Sequence, residues 1–591
     1  MAPNNPILPD YMPKQSSTTH PASGAHGGGV RGDQCLSNSR KDHYKIADLS
    51  GARFGRMFPK VPAAVFQQPE LTMLGKKMTA DPERDGDKPI AAVEKANDNI
   101  HDAEENTGIA AGYTYLGQFI DHDITFDPMS SLQKQNDPDA LKNFRTPALD
   151  LDCVYGRGPD DQPYMYEPGG RKMVAGKQLT RGGKIINPAQ RDLPRLGAKN
   201  RAVIGDKRND ENVIVSQLQG VFLAFHNRMA VNNPGWDFPT IQREVRRHYQ
   251  YIVLNDYLPT IVGKDTMDKV WPGWKTNGIS YATKSAMNCS FYKPATDAAY
   301  MPIEFSAAAY RFGHSMVRPV YRLSTELDTT NSTGDDKNKP DDDSLQGRFF
   351  IFAGVHQRGL NGFQEFPDQW GIDWSLFFNI NNSKSKVGKE RVQPAYKIDT
   401  SLVNPLGFLP EFSEESSFIS AVNLTLTLDE KPFDNLRPQP ESPKTSPSNL
   451  AERNLWRGNS MGLPSGQDVA KAMGETPLID SEILIGKATS GDPKVTLSSI
   501  DATFKDKAPL WCYVLAEAQA QWKKRCSKEG KTGDDADKVP TTMGPVGGRI
   551  VAETLIGLIA ADSSSYLNDT TGWTPTVASN ISDFIKYALA L

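Results

Sequence analysis

Four short segments carry side chains whose type and spacing could do chemistry. In Gly117-Gln118-Phe119-Ile120-Asp121-His122-Asp123 an amide, a carboxylate and an imidazole occupy positions 118, 121 and 122. On a helix, residues three and four apart are neighbours, so these three share a face. Asp123 points elsewhere and could serve a different site. An imidazole titrating near neutrality suits proton transfer, although a lone histidine in such a segment more often serves structure. In Gly205-Asp206-Lys207-Arg208-Asn209-Asp210-Glu211, Arg208 and Glu211 lie three apart just before a long apolar stretch. A capping turn with a surface ion pair, helped by the helix dipole, is the plain alternative there. Tyr310-Arg311-Phe312-Gly313-His314 again sets a cation and an imidazole on one face, with a glycine that lets a flat ligand approach the backbone. In Thr146-Pro147-Ala148-Leu149-Asp150-Leu151-Asp152, alternate residues offer oxygen: the Thr146 hydroxyl, the Ala148 carbonyl and two carboxylates. Such mixed donors suit calcium, without matching an EF-hand. Taken singly, each segment also has a plain structural reading.

The elements that must position these groups read as helices. Residues 211–230 place Val215, Leu218, Phe222, Phe225 and Met229 at three- and four-residue steps. Residues 240–260 repeat the pattern, and residues 302–316 open on Pro302 and are rich in alanine. Strands alternating apolar and polar residues are scarce, so the expected fold class is mainly α: a single large helical domain with little β structure. Residues 1–45, rich in Pro, Gly, Ser and Thr, read as a flexible N-terminal arm, and 46–591 as the domain. Segments 327–345, 436–449 and 527–541 read as solvated surface excursions. His226, in mid-helix with no partner motif, reads as a structural core histidine.

With 38% hydrophobic and 23% charged residues the composition is globular, and a net charge of -4 gives no reason to expect nucleic acid as a partner. No stretch approaches a membrane span; Ile550 to Ala561 is too short, carries Glu553, and reads as a core helix. The opening residues lack a basic segment followed by an apolar run. A cytoplasmic location or export by an unconventional route is expected, an extracellular one being compatible. The five cysteines show no CxxC spacing, which argues against a disulfide scaffold or a zinc site.

The four segments occur together in one order, and there a resemblance enters. LGQFIDHDITFDP resembles the distal-histidine signature of the animal-type haem peroxidases, within the peroxidase–cyclooxygenase superfamily. YRFGHSMVRP resembles their proximal-histidine signature, GDKRNDEN the segment with their distal arginine, and TPALDLDCVYG their calcium loop. FLAFHNRMA, NDYLPTIVG and ERNLWRGNSMGLP resemble further family segments, so the likeness runs over about residues 105–570. It implies haem b and Ca2+ as cofactors. His122 is then the distal base, with Arg208 and the amide of Gln118 beside it. His314 is the iron ligand, with Asn454 accepting its other ring N–H. Arg311 and Arg457 are expected at the haem propionates. Asp121 and Glu211 match positions that form ester links to haem, so at least partial covalent attachment is expected. Asn212 stands where one branch has a methionine bonded to haem, so that bond is not expected. Asp123, Thr146, Ala148, Asp150 and Asp152 are the implied calcium ligands, Asp152 standing where a serine is common. Departures near Asn459 and Met461 leave the proximal contacts open.

The implied function is reduction of hydrogen peroxide through compound I, with oxidation of a halide, a pseudohalide or a small aromatic donor. Two alternatives stand beside it. A haem-dependent fatty-acid dioxygenase of the same superfamily would use a tyrosine three residues before the proximal histidine; here Arg311 holds that position and Tyr310 is one step away. An adhesion protein could use Arg31-Gly32-Asp33, an RGD tripeptide.

Overall fold

The computed structural model describes residues 54–81, 84–85, 88–89, 102–126, 145–197, 200–327, 348–352, 359–409 and 447–591. Within them the chain is mainly helical, as the periodicity predicts. The longer helices are α1 (Gln68–Lys77), α2 (Gly112–Ile124), α3 (Val213–Asn232), α4 (Phe238–Ile252), α5 (Leu258–Val270), α6 (Leu450–Ser460), α7 (Gly466–Met473), α8 (Leu510–Glu529), α9 (Pro545–Ala561) and α10 (Ile581–Leu589). The strands among the described residues pair only in twos. The longest, β1 (Glu105–Ala110), runs antiparallel to β2 (Pro394–Tyr396) and feeds directly into α2.

The apolar periodicity of α3 becomes the wall on which α2 rests. Phe119 of α2 stacks on Phe222 of α3 at 4.2 Å between ring centroids. Phe225 of α3 stacks on Phe584 of α10 at 3.8 Å. Offset aromatic pairs of this kind add to the burial energy of their rings. Helix α9 is buried along nearly its whole length, as a core helix should be. Its one acidic residue, Glu553, is satisfied by Arg549 at 2.7 Å and by the backbone N–H groups of Ser290, Phe291 and Tyr292. Glu517 of α8 accepts from the first N–H groups of α9, at Val546 and Gly547, which satisfies donors that every helix start leaves open.

Several expected elements take a different form. Residues 240–260 are helical, but α4 and α5 are joined by a π turn at Val253–Tyr257. Pro259 has no N–H to continue the α pattern, and the wider turn carries the chain across it. Residues 302–316 are not one helix. A single α turn at Ile303–Ser306 breaks at Ala307 and Ala308, and a 3-10 helix, Ala309–His314, comes next. Arg311 and His314 still share a face, because side chains three apart eclipse on a 3-10 helix. Arg208 and Glu211 do not open α3 either. Arg208 lies in a separate 3-10 turn, Lys207–Asp210, Glu211 comes directly after it, and Asn212 caps α3 through its side chain. Residues 527–541 are partly helical, the end of α8 being succeeded by a short helix at Gly533–Asp537. The arm with its RGD tripeptide, most of 327–345 and most of 436–449 lie outside the described residues. No helix among the described residues is long and apolar enough to cross a membrane. Four cysteines, Cys153, Cys289, Cys512 and Cys526, are free and buried.

Candidate active site

Helix α2 carries Gln118, Asp121 and His122 on one face, with Asp123 turned to another partner set. Glycine at position 117 leaves room for the Tyr257 hydroxyl, which a Cβ there would meet at 2.5 Å. His122 is 5% exposed. Its Nδ1 lies 2.8 Å from Oδ1 of Asn209. An amide oxygen only accepts, so Nδ1 carries the proton and Nε2 keeps its lone pair. The Asn209 amide is itself fixed, its Nδ2 donating to Gln219 at 2.9 Å. Burial first, and the charge of Arg208 second, bring the His122 imidazole down to about 4, with Asp206 and Asp121 opposing in part. At neutral pH it is a neutral ring with one free acceptor.

Arg208 is half-buried beside it. Its Nη2 donates to the backbone carbonyls of His122, at 3.1 Å, and Thr125. The same atom pairs with Asp206 at 2.8 Å, and the guanidinium carbon lies 4.8 Å from the ring centre of Phe126. The ion pair of Arg208 is therefore with the buried Asp206, two residues before it, and not a surface pair with Glu211. Glu211 instead accepts from the Gln118 amide, whose oxygen receives Asn212 at 3.3 Å. Asp121 accepts from the Thr125 hydroxyl at 3.0 Å.

Directly behind His122 lies a carboxylate cluster. Oxygens of Asp123, Asp150 and Asp152 come within 4.8 Å of one another. The Thr146 hydroxyl donates to Asp150 at 2.9 Å, and Leu151 N to Asp123 at 3.2 Å. Leu151 takes a left-handed conformation, φ 59°, which turns the loop back towards Asp123. Ala148, on the same buried loop, donates its N–H to the Thr146 carbonyl at 2.7 Å. Two buried oxygens, Asp123 Oδ1 and Asp152 Oδ1, accept no hydrogen bond. Burial, then the charges of Asp152 and Asp150, push Asp123 well above the usual carboxylate range. Burial is also the main cause that brings Asp152 up to about 7. Buried anions held this close call for a cation, so the donor set fits a hard divalent ion. Arg145 supplies one positive charge at the edge, 3.4 Å from Asp152 and 2.6 Å from Asp206.

On the other side, His314 ends the 3-10 helix and is half-buried although Phe312 and Ser315 are buried. A Cβ added at Gly313 would meet no atom within 4 Å, so there is room beside the ring. Burial, then Arg311, lower His314 to about 3 and keep it neutral, the form that ligates a metal. Asn454 of α6 reaches Nδ1 at 2.8 Å. The amide is turned opposite to expectation. Its nitrogen faces His314, because Arg311, which can only donate, holds the amide oxygen at 3.3 Å. Arg311 also donates to the Ser306 carbonyl, and Trp511 of α8 donates to the Arg311 carbonyl at 3.2 Å. Arg457 lies half-buried one turn along α6 from Asn454. A neutral histidine with an amide partner, open space at Gly313 and cations nearby fits an iron porphyrin with acidic side arms.

Three residues of the site were not expected from the sequence. Asn209 and Asp206 lie inside the GDKRNDEN segment, and Arg145 directly precedes Thr146. Asp206 caps the turn by accepting Arg208 N at 2.8 Å, a role that its position two residues before Arg208 could have suggested. His226 is a core residue, 3.1 Å from the Tyr155 hydroxyl and 3.0 Å from the Arg171 carbonyl.

Comparison with known proteins bears on this geometry. Residues 131–351 match the model of the family described as animal haem peroxidase. A peroxidase-like protein of Margaritifera margaritifera is 26% identical over 260 residues, covering 42% of this chain and 30% of that protein. A chorion peroxidase of Aedes aegypti is 30% identical over 129 residues, covering 20% of this chain and 15% of its own. The chain thus spans under a third of the length of these curated relatives. Among solved structures, peroxidase A from Dictyostelium discoideum superposes with a TM-score of 0.48 at 14% identity, over 91% of this chain and 93% of that one. A fatty acid alpha-dioxygenase from Arabidopsis thaliana gives 0.49 at 12%, over 91% and 75%. The matched family segment contains the oxygen-rich loop, Arg208 and His314, while His122 lies just before it. Residues 131–351 of this chain are thus similar to the animal haem peroxidase family.

Proposed function

We propose that the protein is a haem peroxidase that reduces hydrogen peroxide and oxidises a small donor. The carrying observation is the tautomer of His122: Nδ1 is committed to Asn209, which leaves Nε2 as a base. In this reading Nε2 would take a proton from one peroxide oxygen and pass it to the other, which would leave as water, with the two electrons for O–O cleavage supplied by the bound haem. Arg208 and the Gln118 amide stabilise charge as the O–O bond polarises. His314 would hold haem b, which when bound supplies the redox chemistry of its iron, and Asn454, Arg311 and Arg457 would orient ring and side arms. Asp121 and Glu211 are the carboxylates available for ester links. Asp123, Asp150 and Asp152, with the hydroxyl of Thr146 and the carbonyl of Ala148, would hold Ca2+ and brace α2 from behind. The buried, unbonded oxygens of Asp123 and Asp152 support that part.

The fatty-acid dioxygenase alternative rests on Tyr310. Its ring is stacked on Phe305 at 4.5 Å, with Tyr257 at 6.4 Å, and Arg311 stands where the radical tyrosine would be needed, which favours the peroxidase. Oxygen uptake with a fatty acid separates the two. The main test is His122→Ala: the haem absorption band should persist while reaction with peroxide slows by roughly 10²–10⁴-fold. An unchanged rate removes His122 from the mechanism.

A further inference from the structure

Asp206 is shared by two arginines. Its Oδ2 accepts from Arg145 Nε at 2.9 Å, from Arg145 Nη2 at 2.6 Å and from Arg208 Nη2 at 2.8 Å. Its Oδ1 accepts from Arg208 N at 2.8 Å and Arg208 Nε at 3.2 Å. Both guanidinium groups also approach the ring of Phe126, at 5.9 and 4.8 Å. Arg145 reaches in the other direction as well, to Asp152 of the carboxylate cluster at 3.4 Å. A line of buried charge therefore runs from the cluster to the distal arginine. Cluster and arginine lie about 60 residues apart along the chain, Arg145 and Asp206 being separated by 61 positions.

The charge count gives this line a direction. Arg208 and Asp206 alone would form a neutral pair, and an anion beside Arg208 would meet little net positive charge. With Arg145 bonded to the same carboxylate the group carries one net positive charge. We propose that Arg145 is a positioning residue that shares Asp206 with Arg208, keeping part of the Arg208 charge for an anionic ligand on the distal side of His122. This rests on the reading of the site as a haem and cation centre. A divalent cation among Asp123, Asp150 and Asp152 relieves the pull of Asp152 on Arg145 and lets it lean on Asp206. The two sites are then coupled, and the coupling is reciprocal.

The same placement has an opposite effect at the cluster. A guanidinium 3.4 Å from Asp152 repels an incoming cation. Removing its charge should strengthen one site and weaken the other, which a general loss of structure would not do. The test uses Arg145→Gln, which retains a hydrogen bond to Asp206, in the full-length haem-loaded protein. Terbium(III) luminescence reports the cluster, and cyanide titration of the haem band reports the distal site. We expect terbium to bind about five-fold tighter and cyanide about five-fold weaker, as for one unit charge at partly screened distance. Arg145→Lys, which keeps the charge, should stay close to wild type in both. Both affinities unchanged in Arg145→Gln, or both reduced, overturns the proposal while the haem and cation reading stands. A wild-type chain that binds neither haem nor terbium overturns that reading and this proposal with it.

Discussion

The two histidines sit in walls built on different principles. Behind His122, each polar group is held by another: Asn209 by Gln219, Arg208 by Asp206, Asp206 by Arg145. His122 itself is buried, on a thirteen-residue helix stacked against α3. His314 is half-buried at the end of a six-residue 3-10 helix, and its one amide partner is turned by Arg311 so that nitrogen, not oxygen, faces the ring. The distal wall is set in the polypeptide itself. On the proposed assignment of His314 as an iron ligand, bonding through Nε2 would need Nδ1 to carry the proton, so the Asn454 amide would have to rotate and Arg311 to release its oxygen. Substitutions on the distal side should therefore change rates, and those on the proximal side should change how firmly haem is held.

The sharpest way to break this contrast is His314→Ala. Without its ring the protein should fail to retain haem on gel filtration, with loss of the absorption band, whereas His122→Ala retains it. Equal retention in both variants would mean that the walls are misassigned. A middle-sized effect is expected from Asn209→Val, which removes the acceptor at Nδ1 of His122. One lost hydrogen bond of about 1 kcal/mol corresponds to a peroxide reaction slowed by roughly five- to ten-fold. Haem retention should not move; if it falls in step with the rate, the network behind His122 is merely structural.

Those partners show where sequence reading reaches. The face shared by Gln118, Asp121 and His122 was legible because helical spacing alone determines it. The long α3 was legible for the same reason. Asn209 was not, because a polar residue in a short turn is indistinguishable from an ordinary cap until the histidine is seen opposite it. The pairing of Arg145 with Asp206 was beyond reach because the two meet only in the folded chain. The segment 302–316 misled through its alanines, which favour a helix while Ala308 adopts φ -138° and ψ -76° and breaks it. The three-residue spacing of Arg311 and His314 survived that error.

A third histidine, outside both walls, bears on stability and not on rate. Burial takes His226 down to about 4 from the ordinary 6.5. An imidazole depressed in the folded state stabilises above its unfolded pKa, and that contribution is lost as pH falls from about 6.5 to about 4. The loss amounts to about 3 kcal/mol at most for a shift of this size. His226→Gln should flatten the dependence of Tm on pH over that window by about one proton. It should leave peroxide kinetics near neutrality as they are. A pH slope identical to wild type would show that the ring charges without penalty.

The π turn between α4 and α5 acts as a gauge for the depth of the distal helix. It presents the Tyr257 hydroxyl to the bare backbone at Gly117, one turn before His122. Trimming a single residue from that turn would restore an α repeat, rotate α5 by about 100° relative to α4, and withdraw the phenol from beneath α2. The helix would then keep its Phe119–Phe222 stack on α3 but lose its stop against α5. A one-residue insertion thus sets how closely α5 approaches α2 at Gly117.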